Sequence, residues 1–171
     1  MKLLIIFIYL ITINFSYAFE NPDLKNLILI KNPKLYEDII FMDINQKNVN
    51  LADFKGKLII LNFWATWCAP CKEEMPSLDS LQSNSKLSNL KIFPINISQE
   101  DVYKSESFFK KLGIKNLDIY IDAPITLAKK FSLRGVPTTI IFNKEGKEFA
   151  RIIGSIDFND EKFINWLKNY N

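Results

Sequence analysis

The stretch LIILNFWATWCAPC, residues 58–71, decides the fold of this chain. Its first half, residues 58–64, is a nearly continuous apolar run, which predicts a central β-strand covered on both faces. Its second half contains Cys68 and Cys71, the only two cysteines among 171 residues, and a helix-like run follows them. Two thiols at a strand-to-helix junction can exchange two electrons as a dithiol and a disulfide, so the spacing indicates redox chemistry.

The two cysteines are expected to play different parts. Cys68 falls at the first turn of the helix, where unpaired N–H groups and the helix dipole favour a thiolate and lower its pKa, so we assign it as the attacking nucleophile. Cys71 lies one turn deeper and would resolve the mixed disulfide by attacking the sulfur of Cys68. The alternative, a purely structural disulfide, would close a loop too short to stabilise the fold much.

Two residues beside the nucleophile are candidate substrate contacts. Pro70 suits an early helix position, because its missing N–H costs nothing there. Trp67 precedes Cys68 directly. Two interpretations of Trp67 are open at this point: it shields the nucleophile, or it packs in the core.

The composition excludes several other classes of protein. The chain contains no histidine, which rules out Ser-His-Asp and Cys-His catalysis and any metal site that needs imidazole. Two cysteines cannot supply a four-thiolate zinc site, so we predict no metal and no cofactor. A formal net charge of +3 is too small to argue for nucleic acid.

The N-terminus is typical of a targeting segment. Lys2 precedes an apolar run over residues 3–13, and residues 16–18 place small side chains at the positions that signal peptidases read. We expect cleavage after Ala18, since the run is shorter than the ~20 residues that span a bilayer. The alternative is an uncleaved anchor, residues 1–19, in the inner membrane. Either way the remaining chain is expected to be periplasmic or otherwise extracytoplasmic.

The remaining chain is predicted to form one domain, residues 39–171, after an N-terminal extension. The extension, residues 19–38, lacks clear periodicity and has room for a short helix. Hydrophobic periodicity and turn residues predict these elements: a hairpin over 39–51, strands at 58–64, 90–97 and 117–121, a helix after the cysteines, helices at 99–112 and 124–131, a hairpin over 138–153 and a helix at 159–170. The helix after the cysteines carries one inward stripe, formed by Cys71, Met75, Leu78 and Leu81. This order predicts an α/β fold, with a central mixed β-sheet flanked by helices.

Two motifs carry a resemblance to a known family. The segment NFWATWCAPCKEEMP, residues 62–76, strongly resembles the thioredoxin superfamily, and it is most similar to the exported TlpA/ResA/CcmG branch. The segment GVPTT, residues 135–139, resembles the cis-proline loop of that superfamily. The resemblance covers about residues 39–170 and implies a thioredoxin-like fold, with an N-terminal β-hairpin and a TlpA-like insertion over 98–116. It also implies that Pro137 is cis and that Val136 pairs with a bound substrate peptide.

Two further positions refine the resemblance. Thioredoxin carries a buried aspartate six residues before its first cysteine, whereas this chain has Asn62 there. Glu74 matches the acidic residue that the ResA-like branch uses near its active site. A side chain three residues after Cys71 shares its helix face, so Glu74 is placed to take the proton of that thiol. Partial burial would raise the pKa of Glu74, whereas Glu73 is expected to be solvated.

The resemblance implies an exported thiol–disulfide oxidoreductase that reduces disulfides of specific periplasmic proteins, for example apocytochrome c. It also implies a membrane electron donor of the DsbD/CcdA type, because the compartment supplies no bulk reductant. Three alternative classes of protein remain open at this point. They are a general periplasmic oxidant or isomerase, a Cu(I)-binding assembly factor, and a thiol peroxidase with a lone peroxidatic cysteine.

Overall fold

The computed structural model describes residue 24 and residues 26–171. The predicted targeting segment and the first part of the extension lie outside the described residues. Within the described part, no helix is both long enough and apolar enough to cross a membrane.

The described residues form one eight-stranded sheet with helices packed on its faces. The strands are β1 Leu27–Leu35, β2 Ile40–Asp43, β3 Asn48–Asn50, β4 Leu58–Trp64, β5 Leu90–Asn96, β6 Tyr120–Ile121, β7 Thr138–Phe142 and β8 Lys147–Ile153. Their order in the sheet is β1-β8-β7-β4-β5-β6-β2-β3. The helices are α1 Ala69–Gln82, α2 Val102–Leu112, α3 Leu127–Lys130 and α4 Glu161–Lys168. Strands β4, β5 and β6 run parallel and the other pairs are antiparallel, which confirms the predicted mixed sheet.

Strand β4 is the centre of this fold, and all seven of its residues are buried. Because side chains alternate along a strand, β4 supplies two separate apolar clusters. Ile60 and Trp64 pack with residues of α1 and α4, while Leu61 and Phe63 pack with the β2–β3 hairpin and the region of α3. The loop that carries Cys68 therefore starts at the carboxyl end of a central strand that is packed on both faces.

Helix α1 starts at the cysteine pair. Cys68 is its N-cap, with extended backbone dihedrals, and the Cys68 sulfur accepts a hydrogen bond from the N–H of Cys71 at 3.2 Å. Pro70 lies in the first turn, as predicted, and Pro76 lies inside the helix. The predicted inward stripe is confirmed, since the buried residues of α1 include Cys71, Met75, Leu78 and Leu81.

The short helix for which the N-terminal extension has room does not form over residues 27–35. These residues form β1, which pairs antiparallel with β8 at the edge of the sheet. Residues 27–35 show no alternation of apolar and polar side chains, because most of β1 is exposed on both faces. A strand in that position is specified by its backbone ladder and by a long-range contact, in which the Tyr36 hydroxyl donates to the Glu148 carboxylate at 2.7 Å.

Two other predicted elements are shorter in the structure. The strand predicted over 117–121 is only β6, and the helix predicted over 124–131 is only α3. The buried Asp122 carboxylate sets the start of α3, because it accepts from the backbone N–H groups of Thr126, Leu127 and Ala128. The helix of the insertion agrees with its prediction: Asp101 caps the start of α2, and Gly113 ends it with a left-handed φ of 68°.

Candidate active site

Cys68 and Cys71 form a disulfide at the start of α1, with an S–S distance of 2.02 Å. Cys68 keeps 5% of its surface exposed, whereas Cys71 keeps none. The cysteine at the helix N-cap is therefore the one that a partner can approach from outside. This asymmetry agrees with the different parts expected for the two sulfurs.

The predicted cis-proline loop lies beside this disulfide. The Val136–Pro137 peptide bond is cis, as expected. β7 follows the loop directly, and Thr138 pairs with Phe63 near the end of β4 that leads into the cysteines. Pairing of β4 with β7 therefore brings the cysteine motif and the cis-proline loop, which are distant in sequence, to the same end of the sheet. Val136 is half-buried there, and its pairing with a substrate peptide stays a prediction.

The two tryptophans near the site have opposite environments. Trp67 has 69% of its surface exposed, which excludes the core-packing interpretation. Trp64 is the buried one, and its ring stacks on Phe108 of α2 at 4.7 Å between centroids. Pro70 is also exposed. The disulfide is thus bordered by an apolar surface that is open to solvent.

Glu74 is a buried carboxylate one turn after Cys71, with only 2% of its surface exposed. The Nδ2 of Asn62 donates to its Oε1 at 2.8 Å, and the N–H of Ile156 donates to its Oε2 at 3.3 Å. Burial raises the pKa of Glu74 to about 7, although the two hydrogen bonds pull it down. Its carboxyl group therefore sits near the midpoint of its titration at neutral pH, which suits a group that accepts and returns a proton. Glu73 is exposed, as expected.

Glu74 lies on the wall of an open cleft with a volume of about 570 Å³. The cleft runs between α1 and residues 155–159, and Ser77, Ser155 and Asp157 also line it. A carboxylate that borders such a cleft can exchange its proton with solvent although its own surface is almost covered. The sequence predicted Glu74 but missed its contacts with Asn62 and Ile156, since both partners come from other elements.

The cysteine loop is also tied to the insertion. The Thr66 hydroxyl donates to the Glu100 carboxylate just before α2, and Lys104 forms an ion pair with the same carboxylate at 2.9 Å. The hydrogen bond from Thr66 holds the pKa of Glu100 below its usual value. The insertion therefore touches the loop that carries the nucleophile, a contact that the sequence did not predict.

Comparison with known proteins places this geometry in a family. The family model described as AhpC/TSA matches residues 33–147. The thiol-disulfide oxidoreductase ResA of Bacillus thuringiensis subsp. konkukian is 32% identical over 131 residues, which cover 77% of this chain and 73% of that protein. ResA of Bacillus subtilis is 30% identical over 119 residues, which cover 70% of this chain and 65% of that protein.

A solved structure gives the same answer for the fold. The crystal structure of the exposed lipoprotein thioredoxin Etrx1 from Streptococcus pneumoniae superposes with a TM-score of 0.65 at 25% identity, over 77% of this chain and 98% of that one. The chain therefore belongs to the AhpC/TSA family with a thioredoxin-like fold, and it is a ResA-like thiol–disulfide oxidoreductase.

Proposed function

We propose that this protein is an extracytoplasmic reductant of protein disulfides, with Cys68 as nucleophile, Cys71 as resolving thiol and Glu74 as proton acceptor. One observation carries the proposal. A buried carboxylate with its pKa raised to about 7 lies one turn after the resolving cysteine on the same helix. A group titrating near neutral pH accepts a thiol proton and later releases it, whereas an ordinary carboxylate is too weak a base.

The reaction transfers two electrons in two exchange steps. The Cys68 thiolate attacks a substrate disulfide, one substrate sulfur leaves as a thiolate, and a mixed disulfide forms. The Glu74 carboxylate then takes the proton of Cys71, and the Cys71 thiolate attacks the sulfur of Cys68. The second substrate sulfur leaves as a thiolate, so that the substrate is reduced and the Cys68–Cys71 disulfide remains.

The substrate is proposed to dock over the exposed surface beside the disulfide. Trp67 and Pro70 would contact its side chains, and Val136 before the cis Pro137 would offer backbone groups to an extended segment. Within the class of protein disulfides, apocytochrome c is the proposed substrate, and a membrane thiol reductase of the DsbD/CcdA type is the proposed donor. The sequence resemblance described above supports both, and purified candidates can be tested in the exchange assay below.

The protein is proposed to work outside the cytoplasm. The charge and apolar pattern of residues 1–18 supports export, and the pneumococcal structure is named an exposed lipoprotein. Cleavage after Ala18 is proposed over retention of residues 1–19 as an anchor. Mass measurement of the mature chain after expression in an exporting host separates the two cases.

Trapping tests the assignment of the cysteines. A Cys71→Ser variant is expected to accumulate mixed disulfides through Cys68, which mass spectrometry identifies. The matched Cys68→Ser variant should trap almost nothing. If Cys68→Ser is the variant that traps partners, the assignment of the nucleophile is wrong.

The reduction potential tests the direction of electron flow. The reduction potential is measured by equilibration with glutathione or thioredoxin buffers. For a reductant, this potential should lie well below that of strong oxidants. A value above about −150 mV would place the protein among the oxidants and overturn the proposal. Titration of Cu(I) into the reduced protein addresses the metal-binding alternative, and tight stoichiometric binding would favour it. The peroxidase alternative requires a lone cysteine, whereas Cys68 is paired with Cys71.

A further inference from the structure

Asn62 has an unusual environment for an amide. It lies on β4 with none of its surface exposed, on the strand face that also carries Ile60 and Trp64. Its Nδ2 donates to Glu74 Oε1 at 2.8 Å and to Thr139 Oγ1 at 3.0 Å. Its Oδ1 is buried and has no hydrogen-bond donor among the residues that the structure describes.

Such an unpaired oxygen calls for a physical reason. Buried polar atoms in folded proteins are nearly always hydrogen-bonded, because an unpaired one loses its hydration without compensation. The surrounding face of the sheet is apolar, and a leucine at position 62 would fit its pattern. The Oδ1 of Asn62 is therefore expected to gain a donor in another state of the protein.

The dithiol state supplies that donor in the form of Cys71. Cys71 is fully buried in the same cluster as Ile60 and Trp64, the neighbours of Asn62 on its strand face. It lies one turn before Glu74, to which Asn62 is already bonded. In the disulfide the sulfur of Cys71 carries no proton, whereas the reduced thiol is a hydrogen-bond donor.

We propose that Asn62 is a positioning residue for the proton transfer, holding Glu74 through Nδ2 while its Oδ1 accepts the S–H of Cys71 in the dithiol state. This inference rests on the proposed role of Glu74 as proton acceptor. It adds Asn62 as the group that holds the proton donor Cys71 next to the proton acceptor Glu74. It also explains why the oxygen is unpaired in the disulfide form.

A side-chain amide can pair with Cys71 and Glu74 both before and after the proton is transferred. Turning a side-chain amide over exchanges its oxygen and nitrogen with little change in shape. After the S–H bond of Cys71 breaks and the O–H bond of Glu74 forms, the turned amide accepts from the Glu74 O–H through Oδ1. Its N–H then points to the Cys71 thiolate and stabilises the negative charge. The proton therefore moves from sulfur to oxygen without leaving an unpaired group, and the thiolate attacks Cys68 as described above.

The other ionisable groups around this network are few. Glu73 on α1 and Asp157 on the loop before α4 line the same cleft as Glu74. On the sheet side, β4 and β7 contribute the neutral side chains of Asn62 and Thr139. A change in the ionisation of Cys71 that follows substitution of Asn62 therefore reports on the amide.

The test uses the Cys68→Ser protein, in which Cys71 is the only thiol. The ultraviolet absorbance of the thiolate is followed across pH. Asn62→Leu removes the amide with similar bulk and adds no charge, so it reports on the amide directly. Asn62→Asp keeps the shape but puts a carboxyl oxygen in place of the NH2 donor, and its carboxylate also disfavours a neighbouring thiolate. We expect both to lower the thiolate fraction of Cys71 at a given pH by about tenfold, the effect of losing one hydrogen bond to a charge.

Ser77→Ala is the matched control. Ser77 is buried on α1, and its hydroxyl donates to the backbone carbonyl of Glu74 and accepts from the N–H of Phe158. Its loss costs stability without touching either carboxylate oxygen, so its thiolate profile should coincide with that of the parent. If Asn62→Leu and Asn62→Asp also coincide with the parent while unfolding cooperatively, Asn62 is merely structural and the inference is wrong.

Glu74→Gln in the same background separates this inference from the proposed function. A shifted profile for Glu74→Gln together with unshifted Asn62 variants would overturn only the role of Asn62. An unshifted profile for Glu74→Gln would instead overturn the role of Glu74 as proton acceptor. Shifts in both sets of variants are the expected result.

Discussion

Helix α1 buries two carboxylates, Glu74 near its start and Asp79 near its end, and their surroundings differ sharply. Asp79 accepts four hydrogen bonds: three from the backbone N–H groups of Lys115, Asn116 and Leu117, and one from the Asn116 side chain. Glu74 accepts only two, one from a neutral amide and one from a backbone N–H at 3.3 Å.

The two carboxylates differ in the number of hydrogen bonds that they accept. The donors around Asp79 satisfy both oxygens of its carboxylate, and these hydrogen bonds hold the end of the insertion against α1. For Glu74, burial outweighs its two donors, so that its pKa rises to about 7. A well-paired buried carboxylate stabilises the fold, whereas a poorly paired one costs stability and gains proton exchange near neutral pH.

The largest expected effect comes from removing the clamp. Asp79→Ala should lower the free energy of unfolding by about 4 kcal/mol, because it leaves three backbone N–H groups to find other partners. The folded fraction should keep its rate of disulfide exchange. Denaturant unfolding and the exchange rate per folded molecule measure the two quantities.

Asp118→Ala is the control for that variant. Asp118 is exposed, and its carboxylate makes two long contacts, an ion pair with Lys91 at 3.4 Å and a hydrogen bond from the Tyr120 hydroxyl at 3.4 Å. Its loss should therefore change stability by about 1 kcal/mol or less. If Asp79→Ala is equally mild, or if it slows exchange as much as Glu74→Gln does, the division of α1 into a structural and a chemical part is wrong.

The pH dependence of stability should single out Glu74. Its pKa of about 7 in the folded protein lies above its ordinary value of 4.5, so the folded state holds the proton more tightly. The resulting stability is fully present below pH 4.5 and is lost as pH rises through 7, by about 3 kcal/mol in all. Unfolding of the disulfide form between pH 5 and pH 8 should show this loss.

Glu74→Gln should remove that loss, because the amide stays neutral throughout. Glu73→Gln, on the exposed side of the same turn, should leave the wild-type slope in place. A Glu74→Gln protein whose stability falls with pH as steeply as the wild type would show that another group causes the slope.

Glu148 is a third buried carboxylate that can be compared with Glu74 and Asp79. It accepts from Arg151 at 2.8 Å and from the Tyr36 hydroxyl at 2.7 Å, so it belongs with Asp79 among the well-paired groups. Tyr36→Phe should lower the free energy of unfolding by about 1.5 kcal/mol, since a hydrogen bond to a charged group is lost. Exchange kinetics should not change. A loss of exchange activity without a loss of stability would contradict the structural part assigned to Glu148.

The smallest expected effect is that of Trp67→Ala. Because the side chain is exposed, stability should change by about 0.5 kcal/mol or less. Formation of the mixed disulfide with a protein substrate should slow roughly fivefold, as for an aromatic contact worth about 1 kcal/mol. Reaction with a small disulfide, which does not reach Trp67, is the control. Equal slowing of both reactions would mean that Trp67 acts on the nucleophile and not on the substrate.

The sequence was a good guide wherever the signal is local. The strand β4, the start of α1 at the cysteine pair and the inward stripe of α1 were all predicted, because each depends on neighbouring residues. The cis Pro137 followed from a family motif. β1 was missed because an exposed edge strand has no alternation to detect. The helix predicted over 124–131 was too long, because the buried Asp122 carboxylate sets the start of α3.

The redox chemistry of this protein can be read from its residues alone: two cysteines at a strand-to-helix junction, no histidine, and a glutamate one turn beyond. The difference between that glutamate and Asp79 comes from tertiary contacts. Its donors come from Asn62 and from Ile156, which lies 82 positions away. Burial and hydrogen bonding depend on what the fold brings together, and it is these two quantities that set the pKa of a carboxylate.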